Sequence, residues 1–160
     1  MPDLDQIIDY TLADDAASLR RLIAFTSKPC TSRSDQVDLP LCRPGEAEGT
    51  PIDTITETTT GVCRIAVQTI QRRADEISAS GTPFARVRLY AVYRAAASGG
   101  GDAHTAVFVR DSGDPQFAVL AASLRLEHGR IVALEIHCGQ TASELVAAVP
   151  AADFVIRPRE

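Results

Sequence analysis

The chain has 160 residues, a formal net charge of −5 and an apolar fraction of 45%. That length suits one domain, 1–160, able to bury a core without a metal or cofactor, and the mild acidity gives no electrostatic case for nucleic acid or an anionic membrane. No apolar run approaches the roughly 20 residues of a membrane span, and Met1-Pro2-Asp3 begins nothing like a signal peptide. The expectation is a soluble, cytoplasmic chain, or a secreted one were a leader removed.

In chain order, Asp3 can cap a helix bearing Leu4, Ile7 and Ile8. Asp14 or Asp15 can cap a second, in which Leu19, Leu22 and Ile23 recur at helical spacing. From Thr26 to Pro51 the periodicity disappears, and the stretch reads as a long functional or mobile loop. Glu46 and Glu48 within it could meet a cation, but two loop carboxylates are more often solvated. Ile52 to Thr58 alternates as a strand. A third helix is expected from about Ile65 to Ser80, with Val67, Ile70, Ala74 and Ile77 as its apolar stripe and Gln71, Arg72 and Arg73 on its wet side.

A β-meander follows. Its strands are expected at about Phe84–Ala95, Thr105–Arg110, Gln116–Glu127 and Arg130–Cys138. His128-Gly129 is a two-residue hairpin loop between the last two. Thr141 to Glu144 has the capping-box spacing and opens a short last helix. Asp153 to Ile156 is an added edge strand or a packed tail.

Four cysteines carry no C-x-x-C pair and three histidines are scattered, so neither metal nor cofactor is expected. Cys63 and Cys138 read as buried small hydrophobes. Cys30 and Cys42 bracket the polar loop, where a disulfide would restrain it; the alternative is two unrelated thiols.

Counting without interruption from His128-Gly129 sets Leu124 against Ala133, Ala122 against Glu135 and Leu120 against His137. Glu135 and His137 then project into a face of leucines and alanines. A carboxylate and an imidazole two residues apart share a strand face and could do acid–base work there. Tyr90, Leu120, Ala122, Glu135 and His137 are the expected lining of a ligand pocket. The opposite face is also apolar and needs cover, for which a sheet-to-sheet homodimer would serve.

The order helix, helix, strand, helix, meander resembles the NTF2-like (SnoaL-like) superfamily of the cystatin-like fold. The start Ile7-Ile8-Asp9-Tyr10-Thr11-Leu12-Ala13-Asp14-Asp15-Ala16-Ala17-Ser18-Leu19 and the hairpin His128-Gly129-Arg130-Ile131-Val132-Ala133-Leu134 carry the likeness. The segments from Cys42 to Thr50 and from Leu89 to Arg94 are similar to uncharacterised bacterial proteins. The resemblance implies an α+β cone: a curved, mainly antiparallel sheet of four to six strands packed against N-terminal and middle helices. It implies no particular reaction, since the superfamily holds isomerases, dehydratases, hydrolases, cyclases and binding modules. The first functional expectation is a small module with an apolar pocket for a small ligand, a dimerising sheet, or both. The alternative is a lyase, isomerase or hydrolase using Glu135 and His137, and a third is an accessory protein without a ligand.

Overall fold

The computed structural model describes residues 2–61, 68–79, 87–96, 102–110 and 121–158. Two helices open the chain, α1 (Pro2–Leu12) and α2 (Ala16–Leu22). Asp14, with a φ of 53°, breaks them apart, and the Asp15 carboxylate caps α2 by accepting from the Ser18 amide at 3.0 Å. Leu4, Ile7 and Ile8 of α1 and Leu19 of α2 are buried together, as their helical spacing requires.

The strands are β1 (Thr26–Pro29), β2 (Pro51–Gly61), β3 (Gln68–Arg73), β4 (Val87–Ala95), β5 (Ala103–Arg110), β6 (Ala121–Glu127), β7 (Arg130–Cys138) and β8 (Phe154–Ile156). Helix α3 (Ala74–Ala79) follows β3, and α4 (Ala142–Val146) follows β7 under the capping box of Thr141 and Glu144. The strands form one eight-stranded sheet in the order β1-β2-β7-β6-β5-β4-β8, with β3 paired to β2 outside that path. Its pairings are antiparallel except between β2 and β7, which run parallel from Thr56↔Ala133 to Gly61↔Cys138.

This architecture corrects the expected cone. The sheet is mixed and larger than four to six strands, and α2, α3 and α4 have only seven, six and five residues. The difference begins at the third helix. Residues 68–73, expected within that helix, are extended instead. The threonine-rich β2 offers them better partners than solvent. Thr69 meets the Thr58 hydroxyl at 3.3 Å, and the Gln71 amide donates to Thr56 and accepts from Thr54. Arg72 forks onto the buried Glu57 carboxylate. Such cross-strand pairs are the unit of sheet stabilisation, and here they override a weak helical periodicity. Only the end of the expected helix survives, as α3, which buries Ile77.

The Thr26–Pro51 stretch is also more ordered than its composition implies. Its start is β1, paired with the first residues of β2. Expected segments at 62–67, 80–86, 97–101 and 111–120, including Cys63 and Leu120, lie outside the described residues.

Two apolar clusters flank the sheet. On one face Ile7, Leu19 and Ile77 from the helices pack on Ile55, Val92, Phe108, Leu124 and Ile131. On the other, Ala142 and Val146 of α4 pack on Ala91, Val107, Val109 and Ala121, with Tyr90, Tyr93 and Phe154 at the margin. The second face, for which a homodimer was the expected cover, is covered in part by α4. No helix among the described residues is long and apolar enough to cross a membrane.

Candidate functional site

The hairpin at His128-Gly129 forms with both loop residues at positive φ, 50° and 73°, as a two-residue turn matched to strand twist needs. Glu127 faces Arg130 and Leu126 faces Ile131. The register then shifts by one, so that Arg125 faces Ala133. Val132 is the extra residue of a β-bulge, and every later pair changes. Ser123 faces Glu135, Ala122 faces Ile136 and Ala121 faces His137. Glu135 and His137 therefore lie on the face away from Ala122 and Leu124, which belong to the helix-covered core. Tyr90, at a bulge in β4 between Leu89 and Ala91, packs with the α4-side cluster. Of the expected pocket residues, Glu135 and His137 come together, Tyr90 shares their side of the sheet, Ala122 does not, and Leu120 is not described.

What the bulge assembles is a hydrogen-bonded chain. Thr60 Oγ1 lies 3.1 Å from His137 Nδ1, His137 Nε2 lies 3.0 Å from Ser123 Oγ, and Ser123 Oγ lies 2.9 Å from Glu135 Oε2. A serine has one proton and His137 in its neutral form has one. Thr60 donating to Nδ1 leaves the proton on Nε2, which donates to Ser123, which donates to Glu135. Every group in that arrangement is satisfied. The His137 imidazole, 3.5 Å away, and then the hydrogen bond from Ser123 hold the Glu135 carboxyl below the usual carboxylate range despite its partial burial. Ser123 is only 2% exposed and its proton points to a carboxylate, so it is not poised as a nucleophile. The Glu135 side chain, 38% exposed, is the open end of the chain.

A second constellation lies at β3. The Cys30–Cys42 disulfide closes the loop after β1, twelve residues apart in sequence. Thr31 pairs with the other end of the loop through its amide to the Pro40 carbonyl and its carbonyl to the Cys42 amide, both at 2.9 Å. Cys30 also exchanges backbone bonds with Gly49 and Thr50. The loop is anchored to β3 by charge. Arg73 donates to both Glu46 oxygens, at 2.9 and 2.6 Å, and to the Leu41 carbonyl at 3.2 Å. Arg43 reaches Asp75 and Glu76 at the start of α3. The Arg73 fork holds the Glu46 carboxyl below its ordinary range. Glu48 accepts from Ser32 at 2.7 Å. Both loop glutamates thus serve the loop's own fold, and the described residues contain no cluster fit for a metal ion.

Between this loop and β3 lies a cleft of about 400 Å³. Val37, Leu39, Pro40, Leu41 and Pro44 give it an apolar wall, and Ile70, Gln71 and Arg73 give it a floor. Val37 and Leu41 are 52% and 54% exposed, two of the four large hydrophobics so exposed among the described residues. The Arg73 side chain is 9% exposed, and its Nε–H has no hydrogen-bond acceptor among the described residues; Asp75 is 3.7 Å away. The sequence reading missed this site because it placed Arg73 on the wet face of a helix. The alternation of Thr69, Gln71 and Arg73 with Ile70 and Arg72, next to a threonine-rich strand, was the available signal.

Comparisons with protein-family models, with curated proteins and with solved structures found no match for this chain. Its function has to be argued from these two constellations.

Cys138 is buried, as its reading as a small hydrophobe has it, and it is also disulfide-bonded, to a partner outside the described residues. No cysteine among the described residues is free.

Proposed function

We propose that this chain is a binding module whose ligand occupies the cleft between the disulfide-closed loop and β3. The observation that carries this reading is the pairing of an apolar wall, left exposed at Val37 and Leu41, with a floor whose polar groups are already fixed in place. Exposed apolar surface in a concavity is unfavourable in water and is recovered when a ligand covers it. The disulfide and the Arg73–Glu46 fork hold the wall open, so little ordering is left for the ligand to impose. N-phenyl-1-naphthylamine, a neutral apolar fluorophore, is a direct probe. It is expected to bind the wild-type chain at micromolar concentration, and Leu41→Glu is expected to abolish its signal without unfolding the protein. Equal binding by both proteins sinks the reading.

The oxidised cysteines favour maturation in an oxidising compartment rather than the cytoplasm, since mesophilic cytosolic chains rarely keep structural disulfides. Chain made under reducing conditions is then expected to bind the fluorophore poorly until oxidised.

The second reading is enzymatic and rests on Glu135. An ionised, partly exposed carboxylate backed by Ser123, His137 and Thr60 could take a proton from water or from a carbon acid. General-base assistance is worth roughly 10²–10⁴ in rate. Turnover of p-nitrophenyl acetate that falls by that factor in Glu135→Gln supports this reading, and turnover unchanged by the substitution removes it.

A further inference from the structure

We infer that the occupant of the cleft is a peptide in extended conformation, added as a strand to the outer edge of β3. This rests on the binding reading above and gives its ligand a chemical class.

Ile70, Gln71 and Arg73 all line the cleft. Successive side chains of a strand point to opposite faces of the sheet. Ile70 and Gln71 can line one cavity only if that cavity runs along the strand's edge. Among the described residues that edge has no partner strand: β3 pairs with β2 on its other side alone. The Arg73 amide donates to Glu76 at 3.4 Å, so it aims away from β2. Backbone groups alternate in direction along an antiparallel strand, so the amides and carbonyls of Gln71 and Thr69 aim the same way. Strand β3 thus offers the cleft the outward backbone donor and acceptor of Gln71 beside an apolar wall, and the outward groups of Thr69 continue that row along the strand beyond it. A small apolar molecule would cover the wall and leave that row to water. A peptide backbone answers both, with alternate side chains entering between Val37, Leu39 and Leu41.

Charge narrows the peptide further. The residues that fix the cleft carry two guanidiniums, Arg43 and Arg73, against three carboxylates, Glu46, Asp75 and Glu76. The chain as a whole carries −5. An acidic peptide is disfavoured, and a neutral or basic one accepted.

The test uses the oxidised, full chain and an immobilised positional-scanning library of acetylated, amidated hexapeptides. Selection of an apolar residue at one position and rejection of Asp and Glu are expected. The best hexapeptide is then N-methylated one amide at a time. Strand addition predicts losses of at least about tenfold at alternate amides and about twofold or less at those between, because only every second amide faces β3. Tolerance at every position, or losses without that alternation, overturns the inference. Failure to select any peptide while N-phenyl-1-naphthylamine still binds also overturns it and leaves the cleft reading standing. Failure of both probes removes both. Leu41→Glu should cost the peptide at least tenfold, since Leu41 is exposed and its loss does not threaten the fold.

Discussion

Two polar constellations differ in how completely they satisfy themselves. The chain from Thr60 to Glu135 is built inside the sheet by strand register, and each buried polar atom in it has a partner. The loop–β3 region is built at a sheet edge by a disulfide and two arginine forks. It leaves an apolar wall exposed, a buried Arg73 Nε–H without an acceptor and a strand edge unpaired among the described residues. Unusual residues on a strand face are thus a poor guide to a binding site when their hydrogen bonds close on one another. Groups left unsatisfied beside a cavity are a better one.

That contrast breaks or sharpens under a few substitutions. The largest effect is expected from Cys30→Ser with Cys42→Ser. Opening a loop of this length should cost about 3 kcal/mol by chain entropy. Ligand binding in the cleft should be lost with it, as read by urea unfolding and fluorophore titration. If binding survives, the loop is not what forms the site. Ser123→Ala should cost about 1–3 kcal/mol, because it strips a hydrogen-bond partner from the buried His137 as well as from the more open Glu135. Its cleft affinity should equal that of the wild type; a loss of affinity would couple the two regions and break the comparison. Leu41→Glu should do the reverse, removing binding while shifting stability by no more than about 0.5 kcal/mol.

The smallest effect is on pH dependence. The folded Glu135 carboxyl sits below its ordinary value, through the nearby His137 imidazole and the hydrogen bond from Ser123. Its contribution to stability is therefore present above the unfolded value of about 4.3 and is lost as pH falls through the lower, folded value. Glu135→Gln should flatten that acid limb slightly, measured as the change in urea midpoint between pH 7 and pH 3.5. An undiminished limb would mean that the carboxylate gains nothing from the chain behind it.

Several local elements were legible from the residues, though the architecture was not. Helices α1 and α2, the start of β2, the hairpin at His128-Gly129 and the capping box at Thr141 follow from local chemistry: caps, periodicity and positive φ. What was not legible depends on neighbours distant in sequence. Residues 68–73 become a strand because Thr54, Thr56, Glu57 and Thr58 meet them there. The parallel β2–β7 pairing has no local signal at all. The bulge at Val132 mattered most for the site. Counting two residues at a time is sound only without a bulge, and one extra residue carried Glu135 and His137 from the helix-covered face to the other. Cys30 and Cys42 were legible as a pair, but Arg73 as the partner of Glu46 was not, since its helical assignment hid it.

The most direct measurement is a ¹H–¹⁵N correlation spectrum of the oxidised chain during titration with N-phenyl-1-naphthylamine. Saturable shifts of the Val37, Leu41, Ile70, Gln71 and Arg73 amides, with Ser123, Glu135 and His137 still, are the predicted result. Shifts centred on Ser123, Glu135 and His137, with the β3 edge unmoved, would contradict the account.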